Sequence, residues 1–268
     1  MDILKEIIAT KYKEVEERKA LYPVKLLEKS IYFEGPTVSL KKYVTRADKS
    51  GIIAEIKRKS PSKGVINPYV SVERTSIGYM QAGASALSVL TDSKYFGGSS
   101  DDLITARKFN FCPILRKDFT VDEYQIIEAK SIGADAILLI AAALEPVRLK
   151  QLAAFAHTLK LEVLLEVHNK EELEANLAAD ADLIGVNNRN LKTFVTDVNL
   201  SAQLATFIPN QFVKVSESGI ENPNTIIELK QHGYQGFLMG QNFMQHSRPE
   251  QACQEFINEL KKLERKTL

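Results

Sequence analysis

Charged side chains interrupt the short apolar runs of this sequence near their ends. Glu55 and Lys57 lie within and just after the run IIAEI, and Lys117 follows PILR. Glu166 falls near the end of EVLLEV, and Glu217 follows VKVS. A buried charge is costly unless it is paired or used in chemistry. Lysines and carboxylates held together could act as a general acid and a general base, and a lysine could stabilise negative charge on an oxygen.

Polar residues and glycines follow the last three apolar runs. Asn187 and Arg189 come after LIGV, Gly219 follows the pair Glu-Ser, and Gly240 closes GFLMG. In many barrel proteins the loops after the last two strands bind phosphate through backbone N–H groups. Each glycine alone is better explained by a tight turn. Their joint position favours a phosphate site.

Eight apolar runs, whose starts lie 20 to 34 residues apart, alternate with amphipathic stretches. The runs are IIAEI (52–56), ALSVL (86–90), CPILR (112–116), DAILLI (135–140), EVLLEV (162–167), DLIGV (182–186), FVKVS (212–216) and GFLMG (236–240). This alternation predicts βαβ units with a parallel sheet, and eight units in a chain of this length predict an α/β fold, the (β/α)8 TIM barrel. A doubly wound open sheet is the alternative, but no GxGxxG follows the first run.

A barrel would bring the charges together, because its active site lies at the carboxyl ends of the strands. Side chains alternate between the two faces of a strand. Ile53, Glu55 and Lys57 therefore share the inner face of the first strand. Ala54 and Ile56 then face the surrounding helices. A salt bridge or a solvated strand end explains any single charge, but six charges on five strands favour a site.

The N-terminal residues predict helices outside the repeating pattern. Apolar residues recur at steps of three and four over residues 2–20, Tyr22-Pro23 interrupts them, and a short helix is expected around 24–30. We expect residues 1–48 to form an N-terminal helical extension packed on the barrel, within one domain of residues 1–268. A partner-binding helix is the alternative. The last helix, over 249–266, would complete the barrel, and we expect a monomer.

Composition excludes several classes of protein. With 35 basic and 34 acidic residues the net charge is +1, so nucleic acid is a poor partner. No apolar run approaches the roughly 20 residues that span a bilayer, and no secretory signal is evident. Two cysteines without a CxxC pair favour a cytoplasmic setting, and the four histidines show no metal-ligand spacing. We expect no membrane association and no metal.

Seven segments together resemble the indole-3-glycerol phosphate synthase family over nearly the whole chain. They are IIAEIKRKSPSKG, LSVLTDSKYFGGS, PILRKDFTVDEYQI, LLEVHNKEEL, IGVNNRNLKTF, VSESGI and GFLMG. Members of this family also carry an N-terminal helical extension. The resemblance implies ring closure, decarboxylation and dehydration of 1-(2-carboxyphenylamino)-1-deoxyribulose 5-phosphate, a small phosphorylated substrate of tryptophan biosynthesis. It also implies that no cofactor or metal is used.

The resemblance implies roles for individual residues. Its catalytic positions correspond to Lys117, Glu166, Lys57, Glu55, Asn187 and Glu217. Its substrate-binding positions correspond to Ser60, Pro61, Phe96, Phe119, Arg189 and Ser218. Its phosphate-binding positions correspond to Lys57, Gly219, Gly240 and Gln241. Many members have Gly-Ser after the last strand, where this chain has Gly240-Gln241, so an amide or the backbone N–H alone must replace the serine hydroxyl.

The assignment of steps to residues stays open. Either Lys117 or Lys57 could protonate the ketone oxygen, and a lysine with Glu166 could carry out the dehydration. One rival reading is a barrel similar to phosphoribosylanthranilate isomerase, which would be expected to have a cysteine in the first strand. Another is a non-catalytic barrel that binds phosphorylated metabolites, which would not need three carboxylates.

Overall fold

Eight parallel strands close into a ring in the computed structural model, which describes residues 3–267. Each strand pairs with its neighbours in chain order, and β8 pairs with β1 through Ile53 and Leu238. The strands are β1 (Ile52–Ile56), β2 (Ala86–Leu90), β3 (Ile114–Lys117), β4 (Ala136–Ile140), β5 (Glu162–Val167), β6 (Leu183–Asn187), β7 (Val213–Glu217) and β8 (Tyr234–Met239). The predicted (β/α)8 barrel is confirmed.

Helices precede the first strand and follow each of the eight strands. They are α1 (Ile3–Leu21), α2 (Val24–Leu27), α3 (Leu40–Val44), α4 (Val72–Ala82), α5 (Ser100–Phe109), α6 (Glu123–Ser131), α7 (Pro146–Thr158), α8 (Lys170–Asn176), α9 (Asn199–Leu204), α10 (Pro223–Gln231), α11 (Gln241–Met244) and α12 (Pro249–Thr267). The side chains of Ser71, Ser99 and Asn222 cap the N-termini of α4, α5 and α10. Within residues 3–267, no helix has the length and apolarity needed to cross a membrane.

The core has two layers, as the alternation along the strands requires. Ile53 belongs to the apolar cluster inside the barrel. Ala54 and Ile56 belong to the larger cluster between the strands and the helices. The predicted orientation of the first strand is therefore correct, and Glu55 on the inner face is 2% exposed.

Several element boundaries differ from the prediction. The third strand begins at Ile114 rather than at residue 112, because Pro113 has no N–H to donate to a sheet. The eighth strand begins earlier, at Tyr234, where a register shift before Gly236 breaks the alternation. The second helix covers only Val24–Leu27 of the predicted stretch over 24–30.

A buried lysine attaches α1 to the rim of the barrel. Lys11 is 3% exposed, and its Nζ lies 2.6 Å from Asp92 Oδ2, 3.0 Å from Asp118 Oδ1 and 2.8 Å from Glu14 Oε2. Burial alone would lower the pKa of the Lys11 ammonium, but Asp118 and Asp92 outweigh burial and raise it. Asp92 and Asp118 follow β2 and β3, so this ion cluster fixes α1 over the carboxyl ends of these strands.

Replacing Lys11 by methionine is expected to lower the free energy of unfolding by about 3 kcal/mol, because buried Asp92 loses its cation and buried Asp118 keeps only Arg116. Urea denaturation at pH 7.5 measures this change. Lys13 is exposed on the same helix, and Lys13→Met is the matched control, with an expected change within about 0.5 kcal/mol. Equal stability of the two variants would contradict the prediction.

Candidate active site

A cavity of about 880 Å³ opens at the carboxyl ends of the strands. Every residue that the sequence analysis assigned to a site lines this cavity. These are Glu55, Lys57, Ser60, Pro61, Phe96, Lys117, Phe119, Glu166, Asn187, Arg189, Glu217, Ser218, Gly219, Gly240 and Gln241. The predicted meeting of opposite charges in one partly enclosed space is therefore correct.

Lys117 lies at the centre of the charged group. Its Nζ donates to Glu166 Oε2 at 2.8 Å and to Glu217 Oε2 at 3.1 Å. Lys117 is the last residue of β3, and the two glutamates come from the ends of β5 and β7, two and four strands away around the barrel. Both glutamate side chains are almost completely buried. Hydrogen bonds between charged groups in such a site are strong.

The two carboxylates that share Lys117 differ in proton affinity. Burial alone would lower the pKa of Lys117, but Glu166 and Glu217 outweigh it, so the side chain stays an ammonium at neutral pH. Burial would raise the pKa of Glu166, but Lys117 and His168 lower it overall. Burial raises the pKa of Glu217 to about 7 against the pull of Lys117, and the charge of Glu166 adds to the rise. Carboxyl groups with such separated pKa values can serve different roles in acid–base catalysis.

A second lysine–glutamate pair comes from the first strand. Lys57 Nζ lies 2.7 Å from Glu55 Oε1, and Ser88 Oγ donates to Glu55 Oε2 at 3.3 Å. The side chain of Lys57 is 17% exposed, against 3% for Glu55. Lys57 is therefore more accessible to a ligand in the cavity than its partner.

Asn187 is the last residue of β6, and Arg189 follows it two positions later. Asn187 Nδ2 donates to Glu166 Oε1 at 3.1 Å, and its Oδ1 accepts the Arg189 N–H at 3.1 Å. Arg189 Nη1 donates to Phe194 O at 3.2 Å. Within residues 3–267, no carboxylate forms an ion pair with Arg189, and burial lowers the pKa of its guanidinium. This arrangement leaves Arg189 available to an anionic ligand.

Apolar side chains form one end of the cavity. The rings of Phe96 and Phe119 lie 5.9 Å apart at an interplanar angle of 37°. Ile3 and Ile7 of α1 line the same cavity. The contribution of α1 to the cavity is not predicted from the sequence, because the periodicity of this helix indicates only that one of its faces is buried. The slot suits a flat aromatic group.

Glycines shape the opposite end. Ser218 and Gly219 have φ of 68° and 77°, and a Cβ at Gly219 would lie 2.6 Å from Thr196 Cγ2. A Cβ at Gly240 would lie 2.6 Å from Glu55 Oε1. Both glycines therefore serve tight packing, and the turn that contains Gly240 leads into α11, which begins at Gln241.

Gly185 is a site residue that the sequence analysis missed. It lies in the middle of β6, where a Cβ would overlap with Glu217 Oε1 and come within 3.2 Å of Leu164 Cδ1. That Glu217 oxygen is buried and has no hydrogen-bond partner among the described residues. The absence of a side chain at Gly185 thus leaves the space that the Glu217 carboxylate occupies. A glycine inside a strand was the signal that could have found it.

Replacing Gly185 by alanine is expected to lower kcat about tenfold, because the added methyl group displaces the Glu217 carboxylate. Steady-state kinetics with the substrate that the family resemblance implies measure the effect. Adding Gly185→Ala to Glu217→Gln is the control, and we expect the two changes to be less than additive. Full additivity would show that Gly185 acts elsewhere.

The described residues contain no group of three or more His, Cys, Asp and Glu side chains arranged to hold a metal ion. The site instead combines two lysine–glutamate pairs, an unpaired arginine and an aromatic slot at the mouth of a (β/α)8 barrel. These features are those of a (β/α)8 barrel enzyme that carries out acid–base chemistry on an aromatic, anionic molecule.

Comparisons with known proteins place the chain within this class. The family model described as indole-3-glycerol phosphate synthase matches residues 4–256. The chain belongs to the indole-3-glycerol phosphate synthase family. An indole-3-glycerol phosphate synthase of Bacteroides thetaiotaomicron is 49% identical over 96% of this chain and 98% of its own length. One from Campylobacter fetus is 43% identical over 90% of this chain and 94% of its own length.

Solved structures of other barrels share the fold alone. A thiamine phosphate pyrophosphorylase from Pyrococcus furiosus aligns with a TM-score of 0.60 at 13% identity, over 84% of this chain and 99% of its own. An N-acetylmannosamine-6-phosphate 2-epimerase from Clostridium perfringens aligns with a TM-score of 0.60 at 16% identity, over 83% of this chain and 96% of its own.

Proposed function

We propose that this chain converts 1-(2-carboxyphenylamino)-1-deoxyribulose 5-phosphate to indole-3-glycerol phosphate in tryptophan biosynthesis, as a carboxy-lyase. The observation that carries this proposal is the Lys117 ammonium held between Glu166 and Glu217. This group lies in a cavity that an aromatic pair also lines. The names of the related proteins support the same reaction.

Ring closure joins the aromatic carbon that bears the carboxylate to the ketone carbon of the sugar chain. The ketone oxygen gains negative charge as this bond forms, and the Lys117 ammonium donates the proton that makes it a hydroxyl. The alternative donor, Lys57, is paired with a single carboxylate, Glu55, and is about as exposed as Lys117. We assign the first step to Lys117 because two buried carboxylates hold its ammonium in place.

Decarboxylation then restores the aromatic ring, because the electrons of the broken C–C bond return to it. A carboxylate held away from water loses CO2 more readily, and the slot between Phe96 and Phe119 provides such a place. Arg189 binds the carboxylate before this step, and Ser60 and Pro61, which follow β1, line the same cavity.

Dehydration completes the indole. The new hydroxyl leaves as water with a proton from an acid, and a base removes a proton from the methylene carbon next to the ring nitrogen. Glu166 is the base in this proposal, because Lys117 and His168 keep its carboxylate ionised. Asn187 orients the same carboxylate through its amide.

Phosphate is bound at the glycine end of the cavity in this proposal. The backbone N–H groups of the turns at Gly219 and Gly240 bind it in this proposal, and Ser218, Gln241 and Lys57 add polar contacts. The Gln241 amide takes the place of a serine hydroxyl. The reaction balances without an oxidant, a reductant or a co-reactant, and we propose that it uses no cofactor and no metal.

We propose that residues 1–268 form a single domain, with residues 1–48 as an extension packed on the barrel, and that the protein is a monomer. We also propose a cytoplasmic location, because Cys112 and Cys253 are buried, unpaired thiols. The near-zero net charge argues against a nucleic-acid partner.

An indole fluorescence assay tests the function. Adding the carboxyphenylamino deoxyribulose phosphate is expected to give an indole product and CO2 in equal amounts. Turnover of phosphoribosylanthranilate without indole formation would indicate the isomerase instead. Binding of either compound without any product would indicate a non-catalytic barrel.

A further inference from the structure

We propose that His168 is a positioning residue that acts as an imidazolium and holds Glu166 as an ionised, oriented carboxylate. This inference rests on the proposed function, in which Glu166 is a base. The imidazolium would add a cation to the site. It lies in the turn between β5 and α8, behind the residues that touch the substrate.

The imidazole of His168 lies between two carboxylates. His168 comes directly after β5, and its Nε2 lies 3.3 Å from Glu166 Oε1. Its Nδ1 lies 3.2 Å from Glu172 Oε2 in α8. The side chain is only 10% exposed, so water screens these interactions little. Nε2 is buried and forms no hydrogen bond with any described residue, and Glu166 faces it as an ion-pair partner.

The start of α8 holds the ring in this position. Asn169 Oδ1 accepts the Glu172 N–H at 2.8 Å and so caps the N-terminus of α8. In a complete capping box the Glu172 side chain would return to the Asn169 N–H. It binds the His168 N–H instead, at 2.8 Å, and accepts from Asn169 Nδ2 at 2.9 Å. Glu172 therefore fixes both the backbone and the ring of His168.

The charges around the ring favour its protonated form. Glu166 faces it from β5 and Glu172 faces it from α8, while the Lys117 ammonium lies on the other oxygen of Glu166. Burial would lower the pKa of His168, but the two glutamates outweigh it and raise that pKa to about 9. A neutral imidazole has one N–H and can donate to one carboxylate, whereas an imidazolium donates to both.

Three groups then hold the Glu166 carboxylate. Lys117 donates to Oε2 and Asn187 donates to Oε1, and the His168 ring forms an ion pair with Oε1. Loss of the His168 proton removes one of the two cations that hold the Glu166 carboxylate, which loosens its orientation. The rate of a reaction that uses Glu166 as a base should therefore fall as His168 deprotonates.

A histidine NMR titration of the free protein tests the protonation state directly. We expect His168, identified by the signal absent from His168→Gln, to titrate near pH 9. In Glu172→Gln its midpoint should fall by at least about one pH unit, because one carboxylate is neutralised. Glu171→Gln, an exposed change on the same helix turn, should leave it unmoved. A wild-type midpoint near 6.5, or no shift in Glu172→Gln, would overturn the proposal.

The pH profile of indole formation tests the consequence. Wild-type kcat should fall above about pH 9, and in Glu172→Gln this fall should begin at lower pH. His168→Gln should lower kcat about tenfold at pH 7.5 with KM within about twofold, and it should lack that alkaline limb. A purely structural role would lower Tm and leave the profile unchanged, which would overturn the proposal. If the wild-type protein forms no indole product, the proposed function fails, and the NMR titration still decides the state of His168.

Discussion

Replacing Lys117 by alanine is expected to lower kcat by roughly three orders of magnitude, because ring closure loses its proton donor and the cation that stabilises the developing oxyanion. The barrel should remain folded, since Glu217, whose pKa is already raised to about 7, can take up a proton when its cation is removed. Steady-state indole fluorescence measures the loss, and circular dichroism checks the fold. Lys150→Ala, an exposed change on α7, is the matched control.

Chemical rescue strengthens this test. Adding a small alkylamine to Lys117→Ala is expected to restore part of the lost rate, because the ammonium can enter the space that the side chain leaves between Glu166 and Glu217. An alcohol of the same size should have no effect, since it carries no charge. Turnover of Lys117→Ala within a few-fold of wild type would remove Lys117 from the mechanism.

The sequence alone predicts the barrel and most of its mouth, for a physical reason. Alternation along a strand decides which side chains point inward, and parallel strands bring their carboxyl ends to one rim. Glu55 and Ile53 could therefore be assigned to the inner face, and Glu166 and Glu217 could be brought to Lys117 without knowledge of any distance.

Other features depend on partners that no local pattern identifies. Gly185 is required by the position of Glu217, which lies on the next strand of the barrel. The position of α1 depends on Lys11 finding Asp92 and Asp118 after two different strands. A helical period shows that a face is buried, but it does not show which charge lies opposite.

The contacts of His168 likewise depend on partners that the local sequence does not identify. Asn169 and Glu172 have the spacing of a capping box, but only half of the box forms. Glu172 instead accepts the His168 backbone N–H and contacts its ring, whose other nitrogen faces Glu166. The spacing alone does not show that these contacts replace the second half of the box.

Glu166→Gln is expected to slow the dehydration step by about 100-fold, because an amide has almost the same shape but does not accept the methylene proton. CO2 release should be affected much less, since Lys117 still donates to the ketone oxygen. Single-turnover experiments that follow CO2 and indole fluorescence separately measure the two steps. Glu174→Gln, an exposed change on α8, is the control and should show no lag between the signals.

A lag of indole formation behind CO2 release in Glu166→Gln would place this carboxylate after decarboxylation. Lys117→Ala should instead delay both signals together, because ring closure precedes the loss of CO2. The pair of variants therefore divides the reaction at CO2 release, with the ammonium acting before it and the carboxylate after it. Coincident signals at the wild-type rate in Glu166→Gln would show that the base for the methylene proton lies elsewhere, and Glu217, with its raised pKa, would be the next carboxylate of the same group to test.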